Sequence, residues 1–235
     1  MKRIIHFTKD FHKLSNILST QSLRLHYCKE EFCIGDKKIS RAAHPMISFS
    51  EYDVMQLSLK KITYGKFAIA FSQSWVEKHR IHPVLYIDKN SIVGNSLADL
   101  LKARRKNANT QLAPNIRLSI MTIKCFTKNA VGFNSYLNKP DFNFRDENEW
   151  RFVPTKQQIG GKLISQDRSK YLAKQNFYNK QLEDYPLKFN PEDIEFIFVE
   201  SNTQKEEILK RFPIEKAKIK ISNWKIKGKP NTQQN

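Results

Sequence analysis

The sequence predicts a mixed α+β fold in a single globular domain, and three observations lead there. Short apolar runs with strand character alternate along the chain with stretches whose apolar residues recur at helical spacing. Of the 235 residues 40% are hydrophobic and 11% aromatic, enough to bury one sizeable core without disulfides or metals. No repeat and no linker divides the chain, so the domain is expected to span residues 1–226. Residues 227–235, which carry no apolar side chain, read as a disordered basic and polar tail.

Each element follows in order. Arg3–Thr8 reads as a first strand, and Phe11, Leu14, Ile17 and Leu18 continue at helical spacing behind Thr8 or Asp10 as cap. Leu23–Tyr27 alternates as a short strand; after a polar stretch Met46–Ser50 reads as another, and 51–62 reads as a helix with Val54, Met55, Leu57, Leu59 and Ile62 turned inward. Lys66–Phe71 is a buried-strand run, Ser72 or Ser74 caps a short helix holding Trp75, and Pro83–Ile87 is the next strand. Val93, Leu97, Leu100 and Leu101 mark an amphipathic helix that runs into Lys102-Ala103-Arg104-Arg105-Lys106. A second apolar helix or strand covers Ile116 to Phe126, then come an Asn- and Phe-rich loop, the segment Asp146–Val153, a Gly160-Gly161 turn and a polar helix over Tyr171–Leu182. A buried strand at Ile194–Val199, a helix at Gln204–Arg211 and an alternating strand at Lys218–Ile221 complete the domain.

Lysine and arginine number 41 against 23 acidic residues, a formal net charge of +18. Such an excess raises the local concentration of polyanions, so a nucleic acid or an acidic protein is the expected partner, with Lys102, Arg104, Arg105 and Lys106 as the candidate contacts. A solvated lysine coat shaped by codon usage gives the same composition. No window approaches the roughly 18 apolar residues of a membrane span, and Met1–His6 runs straight into strand-like sequence, so a cytoplasmic protein is expected. Cys28, Cys33 and Cys125 are odd in number and lack framework spacing, which fits a reducing compartment.

There is no Gly-rich phosphate loop, no G-x-S-x-G elbow and no H-E-x-x-H helix. His26, Cys28, Cys33 and His44 fall at the edge of zinc-knuckle spacing, and a buried strand cysteine with two ordinary surface histidines explains them better, so no metal is expected. Three strand positions carry chemistry. His6 and Thr8, two residues apart on one strand, share a side and are fit to hydrogen-bond a ribose, against the plainer reading of His6 as a satisfied, partly buried histidine. Ser48 and Ser50 form the second position, with capping as their plainer role. Glu147 and Glu149 project to one face if extended, and a carboxylate beside a sugar steadies an oxocarbenium-like transition state. A salt bridge from Glu149 to Arg145 or Arg151 is the alternative.

Five stretches together resemble the AbiGi-type proteins of bacterial abortive phage infection, a family described as the antitoxin side of a two-gene locus. They are Ile5-His6-Phe7-Thr8-Lys9 with Leu14 and Ile17-Leu18, Pro45-Met46-Ile47-Ser48-Phe49-Ser50, 64–72 with Trp75, Pro83-Val84-Leu85-Tyr86-Ile87, and Glu147-Asn148-Glu149-Trp150-Arg151-Phe152. The chain is more distantly similar to DarT-like ADP-ribosyltransferases, which also open on a strand bearing His and a hydroxyl before a helix. That similarity implies a largely antiparallel split sheet flanked by helices, with NAD bound in the cleft. It assigns His6 and Thr8 to the adenine-side ribose, Tyr27 or Tyr64 to stacking on nicotinamide, and Glu149 or Glu147 to the nicotinamide ribose, with Ser48 beside them. Two functions follow as expectations: transfer of ADP-ribose to a nucleic acid or protein, or a non-catalytic antitoxin that holds nucleic acid or a cognate toxin.

Overall fold

The computed structural model describes residues 2–105 and 111–227. Lys106 and the tail 228–235 lie outside the described residues. Nine strands form the main sheet: β1 (Lys2–Thr8), β2 (His26–Ile34), β3 (Lys37–Asp53), β4 (Phe67–Phe71), β5 (His82–Pro83), β6 (Glu149–Phe152), β7 (Gln166–Asp167), β8 (Ile194–Val199) and β9 (Ile219–Ile221). Their spatial order is β9-β8-β4-β1-β3-β6-β5, with β2 and β7 also pairing β3. Every pairing in this sheet is antiparallel except β8 with β9, so the sheet is mixed. Seven helices accompany it: α1 (Phe11–Thr20), α2 (Gln73–Lys78), α3 (Ile92–Ala103), α4 (Pro114–Cys125), α5 (Arg168–Ala173), α6 (Gln175–Lys180) and α7 (Asn202–Arg211). No helix of the described residues is long and apolar enough to cross a membrane.

Alternation along the strands sends side chains to two faces. Ile4, Ile69, Phe71, Ile197 and Val199 join the larger core with Leu14 and Leu18 of α1, Trp75 of α2 and Ile208 of α7. Ile5, Ala68, Ala70 and Phe198 face the other way, against Trp224 and Leu57. A third cluster packs α3 and α4 onto Phe32 of β2 through Leu97, Leu101, Ile120 and Met121. The helix caps follow the local sequence: Asp10 accepts from the Lys13 N–H at the start of α1, Ser72 caps α2 and Ser91 caps α3.

The split sheet implied by the similarity to DarT-like enzymes is replaced by one continuous mixed sheet that forks locally. Strand β3 runs 17 residues and changes partners along its length. Strand β1 pairs with it only from Lys2↔Asp53 to Ile5↔Ser50, then leaves while remaining paired with β4 as far as Thr8↔Phe67. Strand β2 joins β3 only from His26↔Met46 onward. Ile47, Ser48 and Phe49 therefore pair with β6 but with neither β1 nor β2, and a gap opens beside them.

The helix expected over 51–62 is absent. Strand β3 continues to Asp53, whose carboxylate caps a 3-10 turn over Val54–Leu59 by accepting from the Met55 N–H. Leu57 and Ile62 are buried, whereas Met55 and Leu59 stay 83% and 80% exposed, because at three residues per turn Val54 and Leu57 share one face and Met55 and Leu59 fall off it.

The loop leading into β4 depends on Gly65. Its φ of +124° is open to glycine alone, and a Cβ there would collide with the Thr8 carbonyl. The indole N–H of Trp224 donates to the Gly65 carbonyl at 2.9 Å, and the Lys66 ammonium donates to the Trp224 carbonyl. Replacement of Gly65 by Ala should cost more than about 1 kcal/mol of unfolding free energy in urea titration; an unchanged midpoint would show that the loop adapts.

Candidate functional site

The fork holds a cavity of about 360 Å³, at the small end of the range for ligand pockets. Four strands of the sheet and three segments outside it line the cavity: His6 of β1; Arg24, His26, Cys28 and Glu30 on and just before β2; Ser48 of β3; Glu149 of β6; and Tyr64, Lys128 and Glu147 from outside the sheet. Residues 24, 26, 28 and 30 appear together because alternate residues of an extended segment share a face.

His6 spans the gap. Its Nδ1–H donates to the Ser48 carbonyl at 3.0 Å, taking up an acceptor that β1 no longer satisfies. That bond sets the tautomer, so Nε2 carries the lone pair, and burial lowers the imidazole pKa, which keeps the ring neutral.

Beside His6 stands a network of buried charges. The Glu149 carboxylate accepts from Ser48 Oγ at 2.9 Å and Arg151 Nε at 2.8 Å on Oε1, and from Lys128 Nζ at 3.0 Å and Arg151 Nη2 at 3.1 Å on Oε2. Four donors fill the approximately four lone-pair sites of a carboxylate. Burial alone would raise the Glu149 pKa, but Arg151 and Lys128 outweigh it and hold the carboxyl far below its usual range. Lys128 also donates to Glu147 Oε2 at 3.0 Å and sits 4.2 Å over the Phe144 ring. Its pKa, which burial would lower, is raised by Glu149 and Glu147.

Glu147 is less fully engaged. Besides Lys128 it accepts from the Tyr64 hydroxyl at 2.5 Å, which leaves acceptor capacity facing the cavity. Burial and the neighbouring Glu147 push the Tyr64 phenol well above its ordinary pKa, so it remains a donor.

Arg151 lies beneath the floor, 0% exposed. It also donates to Glu30 Oε1 at 3.0 Å and to the Cys125 carbonyl at 2.6 Å. Nearby, Lys124 Nζ and His44 Nε2 are buried without a hydrogen-bond partner among the described residues. His44, opposite Cys28 in the β2–β3 pairing, donates from Nδ1 to the Ile164 carbonyl at 3.2 Å, and burial followed by the charge of Lys124 drives its pKa down to about 3.

The structure thus brings His6, Ser48, Tyr64, Glu147 and Glu149 to one cavity. It does not bring Thr8 or Tyr27 there. Thr8 is buried at the end of β1, where the strand follows β4 away from the fork. Tyr27 points to the opposite side of its strand from Arg24, His26 and Cys28, packs against Tyr171 and Tyr178, and donates to the Leu163 carbonyl. Of the alternatives for Glu149, Arg151 is its partner and Arg145 pairs with Asp88 at 2.8 Å. The basic cluster is mixed in character: Lys102 is exposed and pairs with Asp99, Arg105 is exposed, and Arg104 turns partly inward with its Nε buried and without a hydrogen-bond partner among the described residues. Among the described residues no group of three or more His, Cys, Asp or Glu side chains is placed to hold a metal ion. Sequence reading missed Lys128 and Glu30; the alternation Arg24, His26, Cys28, Glu30 was the available signal for the latter.

A family model described as "Putative abortive phage resistance protein AbiGi, antitoxin" matches residues 21–200. The "Abortive phage resistance protein AbiGi" of Lactococcus lactis subsp. cremoris is 26% identical over 187 residues, covering 70% of this chain and 75% of the relative. No solved structure matches the chain.

Two expectations test the network. Arg151→Met leaves two buried carboxylates without their guanidinium and should destabilise the fold by about 3–5 kcal/mol, while Glu149→Gln added to that variant costs much less than in the wild type. Additive costs in urea unfolding would deny the coupling. For His44 the folded pKa lies below the unfolded value of 6.5, so the unfolded chain takes up a proton that the folded chain refuses. Its contribution is complete above pH 6.5 and is lost as pH falls toward 3, at up to about 1.4 kcal/mol per pH unit. His44→Gln should flatten the stability slope between pH 6.5 and 5 by about one proton, read from denaturation midpoints; an unchanged slope means His44 is charged in the fold.

Proposed function

Since the chain belongs to the AbiGi family of putative abortive phage resistance proteins, we propose that it acts in abortive phage resistance together with a cognate toxin, and that the cavity in the sheet fork is its working site. The ligand is a ribosyl nucleotide of the NAD type, and the reaction is transfer of ADP-ribose. The single observation that carries this reading is the convergence of His6, Ser48, Tyr64, Glu147 and Glu149 on one cavity. Its volume suits one nucleoside-sized half of NAD, the nicotinamide riboside half, with the remainder extending outward.

The roles follow from hydrogen-bonding capacity. Glu149 has no acceptor site left for a ribose hydroxyl, so it positions Lys128 and Ser48 rather than contacting the ligand. Glu147 supplies the working carboxylate, and His6 Nε2 accepts from a ribose hydroxyl. In the step itself the bond from the anomeric carbon to the nicotinamide nitrogen breaks and its electron pair leaves with neutral nicotinamide. The acceptor's oxygen or nitrogen bonds to that carbon, and the acceptor's proton passes to Glu147. The formal charge of +18 favours a nucleic acid as acceptor, with Lys102 and Arg105 among the steering cations.

The second reading is a non-catalytic antitoxin that binds a nucleotide without consuming it. It is favoured by the ion pairing that neutralises both glutamates, since a paired carboxylate steadies a developing cation less well.

Incubation with labelled NAD, host nucleic acid and host protein separates the two. Transfer of label to either acceptor, lowered about 100-fold or more in Glu147→Gln at an unchanged melting temperature, is the expected result. Binding without turnover selects the second reading, and absence of both binding and turnover removes the nucleotide from the site.

A further inference from the structure

The cavity has a direction. Arg24, His26, Cys28 and Glu30 occupy alternate positions on one wall, and their exposure falls along the chain. Arg24 and His26 are exposed at the mouth, Cys28 is half-buried, and the Glu30 side chain is 12% exposed against Arg151. Within the strand the four steps from His26 to Glu30 cover roughly 13 Å at about 3.3 Å per residue, with Arg24 just beyond the mouth end. The charge reverses over that distance. At the inner end three carboxylates, Glu30, Glu147 and Glu149, are in ion-pair contact with two cations among the described residues, Lys128 and Arg151. Lys124, buried behind them, is held below its usual pKa by desolvation and reaches none of the three, so at the wall itself an anion is disfavoured and a cation favoured.

At the mouth the guanidinium of Arg24 is held, among the described residues, by Glu183 alone, at 2.6 Å, with both side chains about half exposed. An ion pair in that setting contributes about 0–1 kcal/mol, so a better acceptor displaces the carboxylate at little cost. Phosphate is such an acceptor, since a guanidinium presents two parallel N–H groups to it and carries a permanent charge.

We infer that Arg24 is a phosphate-binding residue at the mouth of the cavity, and that the ligand lies with its cationic ring toward Glu147 and its phosphates at Arg24. The ligand class is a nucleotide with positive charge at one end and phosphate at the other, as in the pyridinium half of NAD. This orientation rests on the ribosyl-nucleotide reading of the cavity; the phosphate contact stands apart from it.

The test is calorimetric titration of the full-length wild type, Arg24→Gln and Arg24→Glu with three probes: NAD, nicotinamide riboside and inorganic pyrophosphate. Arg24 is exposed, so both variants should melt with the wild type. NAD should bind the wild type more tightly than nicotinamide riboside does. Arg24→Gln should weaken NAD about 10-fold to 100-fold, Arg24→Glu should weaken it further, and nicotinamide riboside should bind all three alike. NAD bound equally by all three proteins overturns the role of Arg24 and leaves the function proposed above intact. Pyrophosphate bound in an Arg24-dependent way, with neither nucleotide bound, upholds the phosphate contact and overturns that function. Failure of every probe to bind overturns both.

Discussion

The guanidinium of Arg151 is the contact on which the cavity depends. Removed from water, an isolated cation of this kind carries a desolvation penalty of several kcal/mol, and Arg151 meets it with four hydrogen bonds to the carboxylates of Glu149 and Glu30 and to the Cys125 carbonyl. Those acceptors belong to three elements, β6, β2 and α4, so one side chain fixes how the sheet edge and the helical layer meet. The dependence is mutual. Glu149 would be equally costly without Arg151, and Lys128 is placed by Glu149 and Glu147. Such a network adds little net stability compared with an apolar core of the same volume, but it tolerates one arrangement of its members only.

The fork in the sheet is what gives that network something to face. Had β1 stayed paired with β3 beyond Ile5, the backbone groups of Ile47–Phe49 would be covered and no space would exist. The divergence is stabilised on both sides: Phe7 and Thr8 continue their ladder with Ala68 and Phe67, and Gly65 lets the loop before β4 approach the Thr8 backbone. His6 then supplies, from its ring, the hydrogen bond that the Ser48 carbonyl loses when the strands part. The same histidine closes the backbone ledger of the fork and presents a lone pair to the cavity, so its structural and functional readings coincide.

Much of the fold was legible because it rests on local pattern. Arg3–Thr8, Lys66–Phe71 and Ile194–Val199 are apolar runs of strand length, and each lies on a central or near-central strand. The long β3 was read only at 46–50, since Lys37–Arg41 is mostly polar and at least partly exposed, and the buried Ala42-Ala43-His44-Pro45 that follows has small or polar side chains with no apolar rhythm. The site was partly legible for the same reason. His6, Ser48, Tyr64, Glu147 and Glu149 lie in or beside apolar strand runs, where a polar residue stands out. Thr8 and Tyr27 stood out equally, but the departure of β1 and the strand parity of Tyr27 take them elsewhere. Lys128 was invisible among the other charged residues, because ion pairs joining it to positions 147 and 149 leave no mark on its own neighbourhood, and Glu30 was signalled only by the alternation that begins at Arg24.

The charges of the surface and of the cavity oppose each other, and that opposition divides the labour between partners. A net charge of +18 gives the exterior a positive potential, yet among the described residues the cavity floor carries more carboxylates than the cations in ion-pair contact with them. Within a Debye length of about 8 Å at physiological salt the local field governs, so a phosphate chain drawn to the exterior is turned back at the inner wall. A polyanion and a small cationic group can therefore be held at once without competing, the first outside and the second within. On the transfer reaction proposed above, this arrangement brings acceptor and donor together in order; on the antitoxin reading proposed beside it, the same arrangement leaves the cavity open to a small ligand while the exterior is occupied.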